Sequence, residues 1–314
     1  MIIGIDTSCY TTSVALINDD GTVLDQNRLM LRVKPGERGL RQSEAVFQHL
    51  QNLPRLVEGL KITGSVKAVA ASTRPRPVPG SYLPVFKVGA AMGGTLAHIV
   101  GALFFETSHQ EGHLRAGLCN RETPEEAFLA WHLSGGTTEL LLAKAFAGGF
   151  NIEKVGGSSD LQVGQFVDRI GVALGAGFPA GAFLEELARQ SDSIESLPVV
   201  TKDLTISFSG PDSAGKRLID SGINSPELAR RVFNCISKAL TKVTLEAAER
   251  FKVKTVLFAG GVASNELIRT ALLKETPLDG VELIFAPKEL SGDNAVGVGL
   301  LGSDLLKEGL KNEY

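Results

Sequence analysis

Residues 2–24 read IIGIDTSCYTTSVALINDDGTVL. Two β-branched runs, Ile2–Asp6 and Ser13–Asn18, flank a Thr/Ser-rich turn, and Asp20-Gly21 offers a further hairpin signal between such runs. The stretch predicts a β-hairpin whose turn is built from small hydroxyl residues. Residues 127–145, AFLAWHLSGGTTELLLAKA, repeat the design: an apolar strand, a small-residue turn at Ser134–Thr138, and a second apolar strand. Two hairpins of one design predict two structurally similar halves, although their residue identity is too low to read as a repeat.

Helices and buried strands fill the chain around these hairpins. Residues 43–60, SEAVFQHLQNLPRLVEGL, place apolar residues at helical spacing, and VKAVAAS (66–72) is a buried-strand run. A Pro-rich loop from Thr73 feeds a Gly/Ala-rich helix ending near Gly101. Residues 160–190 predict two helices split by a Gly/Pro turn, and 225–251 a long amphipathic helix. KTVLFAGGVASNELIRTALLKE (254–275) predicts a strand, a glycine turn and a helix capped by Ser264 or Asn265. VELIFAP (281–287) is a strand, and SGDNAVGVGLLGSDLLKEG (291–309) a turn opening the last helix. Strands and helices interleave throughout, so the class is α/β.

Composition bounds the function. The 314 residues carry 32 basic and 35 acidic side chains, a net charge of −3. That balance argues against a protein that grips nucleic acid by charge alone, because phosphate contacts need clustered Lys and Arg. One stretch, Arg28–Arg41, does hold five basic residues against the single acid Glu37, and reads either as a basic patch or as solvated surface. Three widely spaced cysteines, Cys9, Cys119 and Cys235, exclude a disulfide framework or zinc ribbon and fit a reducing cytosol. No signal peptide or membrane span is expected, because Asp6 interrupts the first apolar run and the other apolar stretches are Gly-rich. The expected localisation is cytoplasmic.

Three small-residue turns end apolar strands: Thr7–Thr12, Ser134–Thr138 and Gly260–Ser264. Such turns let backbone N–H groups approach a phosphate, and a following helix adds its positive end. Asp6 and Asp293 sit beside two of these sites, and the spacing matches neither a Walker loop nor G-x-G-x-x-G. The chain has five histidines, and His109 and His113 stand one helical turn apart in ETSHQEGHLRAG (106–117). On a helix both imidazoles would share one face and could reach a single metal ion. A pair of surface or helix-end histidines is the plain alternative.

The order of these motifs resembles the actin/sugar-kinase/Hsp70 ATPase superfamily, and within it the TsaD family of tRNA threonylcarbamoyltransferase subunits. That family was once labelled a glycoprotease or M22 peptidase. The matching residues run from Gly4–Cys9 (GIDTSC) through 72–93, His109–His113 and Ser134–Gly136 to Gly164–Pro179 with Asp168 inside it. They continue through Ser207–Gly210 and Gly260–Asn265 to Asp293-Asn294.

The resemblance implies a two-lobed, ribonuclease H-like duplicated fold with a nucleotide cleft between the lobes. One lobe would span 1–125 and be completed by the C-terminal helix 293–314; the other would span 126–292. It implies one divalent metal (Fe, Zn or Mg) on His109, His113 and Asp293, and an ATP/AMP-type adenylate ligand. Ser134, Gly135 and Gly136 would face its phosphate; Asp168, Gly181 and Asn265 would surround the adenosine, with Asp168 on the ribose hydroxyls. The implied reaction moves a threonylcarbamoyl group from its adenylate to N6 of adenosine 37 in tRNA. The implied partners are tRNA, a paralogous TsaB-like subunit and a small TsaE-like ATPase.

Proteolysis is disfavoured. A zincin needs H-E-x-x-H, whereas Gln110 follows His109 and Glu111 sits about 200° away around the helix. Cys9, beside a buried strand, reads as packing rather than as a nucleophile. The sequence also departs from the family. Tyr10 and Thr11 stand where S-C-D-E-T carries its acids, and D-D-A-x-G-E becomes Asp160–Gln165, which loses the Glu. F-S-G-L-K-T becomes 208–213 with Asp212 for the lysine, read as a loss of charge in a tRNA-facing loop. These changes leave a second expectation open: a divergent paralogue with another acceptor, or a non-catalytic nucleotide-binding subunit. A sugar-type kinase shares the fold, but no segment supplies its catalytic Asp.

Overall fold

A computed structural model describes residues 1–33, 40–275 and 280–309. Lys34, Glu37 and Arg38 of the basic stretch, and 310–314 of the expected last helix, lie outside them. The chain forms two compact units: Met1–Glu125 with Lys144–Asn151 and Glu289–Tyr314, and Glu126–Ala143 with Ile152–Lys288.

In the first unit β1 (Ile2–Thr7) pairs antiparallel with β2 (Thr11–Ile17), which pairs antiparallel with β3 (Val23–Met30). The predicted hairpin forms with Thr7 opposite Thr12. After α1 (Gln42–Glu58), strand β4 (Ala68–Arg74) runs parallel to β1. Then α2 (Phe86–Val100) leads to β5 (Leu103–Ser108), parallel to β4, and straight into α3 (His109–Gly117). The sheet order is β3-β2-β1-β4-β5.

Every residue of β1 and β2 is buried, because the sheet carries a hydrophobic cluster on each face, and this explains their unbroken apolar runs. Side chains of odd parity on β1, Ile3 and Ile5, pack with Val14, Leu16, Leu53 of α1 and Val88 of α2. Ile2 turns the other way, to Ala15, Ile17, Ala116 of α3, and Val296, Val298 and Leu300 of the last described helix, Val296–Lys307. That helix lies directly on α3: a Cβ placed on Gly297 would sit 1.8 Å from the Gly112 carbonyl oxygen. Only glycine permits this approach, and it brings Asp293, just ahead of the helix, towards His109 and His113.

The second predicted hairpin is formed by β6 (Phe128–Leu133) and β7 (Thr138–Phe146), with β8 (Gly149–Ser158) beside β7; all but Lys144–Asn151 of these strands belongs to the second unit. Helices α4 (Val163–Ala173) and α5 (Gly181–Ala188) follow, joined through a cis Phe178–Pro179 bond. Short strands β9 (Val200–Lys202) and β10 (Thr205–Ser207) precede α6 (Ser209–Asp220) and the long α7 (Ser225–Phe251). Then come β11 (Thr255–Ala259), α8 (Glu266–Glu275) and β12 (Glu282–Phe285). The core gathers Trp131, Leu133, Phe166, Phe208, Phe233, Leu240 and Phe258. The last helix among the described residues is α9 (Val296–Lys307).

The two sheets share one plan. The second reads β12-β11-β6-β7-β8-β10-β9, so β8-β7-β6-β11-β12 repeats β3-β2-β1-β4-β5, with β10 and β9 added at the edge. In both, the first strand makes an antiparallel hairpin on one side and begins a parallel run on the other. The similar halves expected from the two hairpins are therefore real, although the residues filling them differ. In such sheets, carboxyl ends of the parallel strands are where ligand-binding groups gather. Asp6, Ser72 and Ser108 stand there in the first sheet, and Leu133 and Ala259 in the second.

Candidate active site

The first group of candidate side chains forms where β5 turns into α3. Ser108 is the N-cap: its hydroxyl accepts from the Glu111 backbone N–H at 3.2 Å, and Glu111 Oε2 accepts from the Ser108 N–H at 2.9 Å. This capping box fixes the helix start at His109. His109 and His113 then share one face, with ring centroids 4.5 Å apart. Their Nε2 atoms lie 3.1 Å from each other, and 3.6 and 3.3 Å respectively from Asp293 Oδ1. Ligands placed tetrahedrally at 2.0–2.1 Å from one ion stand about 3.3 Å apart. The three donor atoms therefore fit a single cation, and they form one cluster within 4.8 Å.

The surroundings hold these donors in ligand orientation. His109 Nδ1 lies 3.0 Å from Oδ1 of the fully buried Asp6, which also accepts from the Ser72 hydroxyl. A carboxylate on Nδ1 leaves Nε2 to face the cluster. Ser8 Oγ donates to Asp293 Oδ2 at 2.8 Å, which turns Oδ1 towards the imidazoles. Burial opposes charge on His109, but Asp6 and Asp293 outweigh it and hold the imidazolium well above its ordinary range. Burial would raise Asp293, but His109 and His113 hold its carboxyl well below the usual carboxylate range.

Glu111 is spent elsewhere. Its Oε2 takes both the Ser108 N–H and hydroxyl, and its Oε1 accepts from Phe150 N at 3.2 Å. Burial raises the Cys9 thiol above its ordinary value, which favours packing over nucleophilic chemistry.

The second group lies in the second unit. Gly135 and Gly136 are exposed at the hairpin turn, and a Cβ on either would meet nothing within 4 Å. The start of α4 presses onto this turn: a Cβ on Gly164 would sit 2.5 Å from Gly135 Cα. Gly260, at φ +100°, brings the third turn to within 2.3 Å of the Leu133 oxygen by the same measure. Two of the three sequence-predicted turns are thus packed together at the ends of β6 and β11. Asp168 is half-buried on α4, where its Oδ1 accepts from Ala180 N at 2.7 Å, just before Gly181 opens α5. Burial raises its carboxyl above the usual value. Asn265 is the N-cap of α8, its Oδ1 accepting from Ile268 N at 3.0 Å, and the adjacent Glu266 N–H donates to Glu185 of α5.

A profile of TsaD, described as tRNA N6-adenosine threonylcarbamoyltransferase, matches residues 34–300. The chain belongs to the TsaD family. A tRNA N6-adenosine threonylcarbamoyltransferase of Streptococcus suis is 30% identical over 322 residues, covering 99% of this chain and 94% of its own. The Archaeoglobus fulgidus enzyme of that name is 27% identical, covering 98% and 92%. A Methanocaldococcus jannaschii protein named as a probable bifunctional threonylcarbamoyladenosine biosynthesis protein is 26% identical over 98% of this chain but only 56% of its own length.

The fold of this TsaD-family chain is that of the actin/sugar-kinase/Hsp70 ATPase superfamily. HypF of T. kodakarensis superposes with a TM-score of 0.61 at 13% identity, over 98% of this chain and 48% of that one. An ADPNP-bound activator of 2-hydroxyisocaproyl-CoA dehydratase from Clostridium difficile gives 0.55 at 14%, over 100% and 99%.

The departures from the TsaD pattern take on structural meaning. Tyr10 is 44% exposed at the first turn, whereas Thr11 is buried. Asp212 is not in a loop: it lies buried in the first turn of α6, paired with Lys216 Nζ at 2.7 Å and Arg169 at 3.5 Å. A carboxylate there suits the helix N-terminus and is neutralised locally. Asp160 accepts from Ser207 Oγ and Phe208 N, and these hydrogen bonds outweigh burial and lower its carboxyl to about 2. Sequence reasoning placed Asp6 beside a turn but missed its contact with His109, and it gave Ser8 and Ser72, both within matched segments, no role of their own. Only the parallel pairing of β1, β4 and β5 brings these residues together.

Proposed function

We propose that this chain transfers a threonylcarbamoyl group from threonylcarbamoyl-adenylate to N6 of adenosine 37 in tRNA, with one divalent metal held by His109, His113 and Asp293. The convergence of two imidazole Nε2 atoms and one carboxylate oxygen within 4.8 Å, in a TsaD-family chain, carries the reading. Two imidazoles and a carboxylate suit iron or zinc better than magnesium. An ion held there would supply Lewis acidity. Asp6 and Ser8 hold His109 and Asp293 in ligand orientation.

Gly135 and Gly136 face the phosphate with backbone N–H groups and Ser134 with its hydroxyl, since the Ser134 N–H already donates to the Thr137 carbonyl at 2.8 Å. Asp168 accepts ribose hydroxyls through its free lone pairs, and Gly181 and Asn265 flank the adenosine. The adenine N6 attacks the carbamoyl carbon, a C–N bond replaces the C–O bond to phosphate, AMP leaves, and one N6 proton passes to solvent. Donors at that turn would stabilise the departing phosphate.

A TsaB-like paralogue and a TsaE-like ATPase are the expected partners. The longer bifunctional relative supports the involvement of further protein in the pathway. Among the described residues no helix is long and apolar enough to cross a membrane, in keeping with a cytoplasmic site of action.

The test is reconstitution of purified protein with tRNA, fresh threonylcarbamoyl-adenylate and the partner proteins, read by nucleoside mass spectrometry. Modified adenosine that vanishes with His109→Ala supports the transferase. Its absence from protein that binds both metal and nucleotide supports a second reading, a paralogue with another acceptor or a non-catalytic subunit. Tyr10 and Thr11 at the family's acidic positions favour that alternative.

A further inference from the structure

The fully buried His49 lies on the inner face of α1 with Ala45 and Leu53, one turn away on either side. Its ring is no mere filler. Nε2 lies 2.8 Å from the Ser8 carbonyl oxygen, and Nδ1 lies 2.8 Å from Thr12 Oγ1. A carbonyl only accepts, so Nε2 carries the hydrogen and Nδ1 accepts from the Thr12 hydroxyl. Thr12 Oγ1 in turn accepts from Asn52 Nδ2 at 3.2 Å. Burial lowers the His49 pKa, which keeps the ring neutral and this tautomer in place.

Both partners sit at the ends of one turn. Ser8 leaves β1 and Thr12 enters β2, so His49 clamps the turn from each side. The same Ser8, with only 1% of its surface exposed, donates its hydroxyl to Asp293 Oδ2 at 2.8 Å. An unbroken chain of contacts runs from His49 to the Ser8 backbone, to the Ser8 hydroxyl, to the carboxylate whose other oxygen faces His109 and His113.

We infer that His49 is a positioning residue of the 109/113/293 centre: by fixing the Ser8–Thr12 turn it orients the Asp293 carboxylate and sets the affinity for a divalent cation. The inference rests on the metal reading proposed above. Groups hydrogen-bonded directly to a ligand change metal affinity by roughly 10–100-fold; Ser8 is such a group, and His49 acts through it, at the lower end of that range.

The test titrates metal-free protein with cobalt(II), followed by visible absorbance, and needs no substrate. His109→Ala is the ligand control. Leu53→Ala, on the same buried face of the same helix, reports the effect of destabilising α1 alone. Glutamine places its amide about as far out as imidazole Nε2, whereas asparagine reaches only as far as Nδ1. His49→Ala is expected to weaken cobalt binding at least about tenfold. His49→Gln should recover most of it by donating to the Ser8 carbonyl, and His49→Asn should not; Leu53→Ala should lower the melting temperature and leave affinity unchanged.

Folded His49→Ala with wild-type affinity would overturn the inference. So would Leu53→Ala weakening binding equally, or asparagine rescuing where glutamine fails. If His49→Ala does not fold, the Gln/Asn comparison decides. Wild-type protein that takes up no more cobalt than His109→Ala removes the metal reading itself, and this inference with it.

Discussion

The Nδ1 atom of His109 and the Oδ1 atom of Asp6 lie 3.0 Å apart, although the two residues are separated by 103 positions in the chain. Asp6 is the penultimate residue of β1 and His109 opens the helix after β5, with β4 between the two strands. Because all three strands run parallel, their carboxyl ends share one edge, and a buried carboxylate meets the Nδ1 side of the His109 imidazole. The contact makes His109 both a better donor at Nε2 and a more basic group when no metal is bound.

Asp6→Asn keeps the shape and removes the charge. It is expected to weaken cobalt or zinc binding by roughly 10–100-fold while leaving the fold intact. Competition with a chelator of known affinity measures it, and equal affinity in the variant would show that the Asp6 contact is structural only.

The metal-free centre should bind metal with release of a proton, because His109 is held charged well above its ordinary 6.5. Apparent affinity then rises with pH up to that raised value. A weakly buffered titration with a pH indicator reads the proton directly. The signs for stability follow. The raised His109 contributes stability that is complete below 6.5 and lost as pH rises through its folded value. The lowered Asp293 contributes stability that is present above 3.8 and lost as pH falls through its folded value. Metal-free protein with His109→Ala should lose this upper-limb dependence in thermal melts.

Glu111→Ala separates the transferase from the old peptidase label. The change strands the buried N–H of Ser108, which costs about 1–3 kcal/mol when left unsatisfied. Chemical denaturation should show that loss, with cobalt still bound and no peptide hydrolysis in either wild type or variant. Peptide hydrolysis by the wild type that disappears in the variant would contradict this assignment.

Two glycines at the second hairpin should respond oppositely. Gly164→Ala drives a Cβ into the Gly135 backbone at 2.5 Å and should destabilise by about 1–3 kcal/mol. Gly135→Ala meets open space and should stay within about 0.5 kcal/mol of wild type in denaturant. It should nevertheless weaken adenine-nucleotide binding, measured by calorimetry, because the new methyl group stands where a phosphate approaches. Unchanged binding would remove the turn from the nucleotide site.

The residues themselves determined the local structure: two hairpins marked by their turns, a helix with His109 and His113 one turn apart, and α/β alternation. These are legible because strand and helix periods, caps and turn residues act within a few positions. The ordered motifs also carried the resemblance to TsaD. Tertiary structure decided what those residues face. Asp212 looked like a stray charge in a loop, but it is buried against Lys216 and Arg169. Asn265 reads in sequence as a cap or a ligand residue, and the fold shows its side chain already capping α8. Asp6, Ser8, Ser72 and His49 carry no local signature, because hydrogen-bond partners across 37 to 285 positions are set by strand pairing and by glycine contacts that let α9 lie on α3. Sequence fixes short-range geometry through steric and hydrogen-bonding preferences; the orientation of a ligand atom depends on packing between segments far apart in the chain, and only the folded molecule decides it.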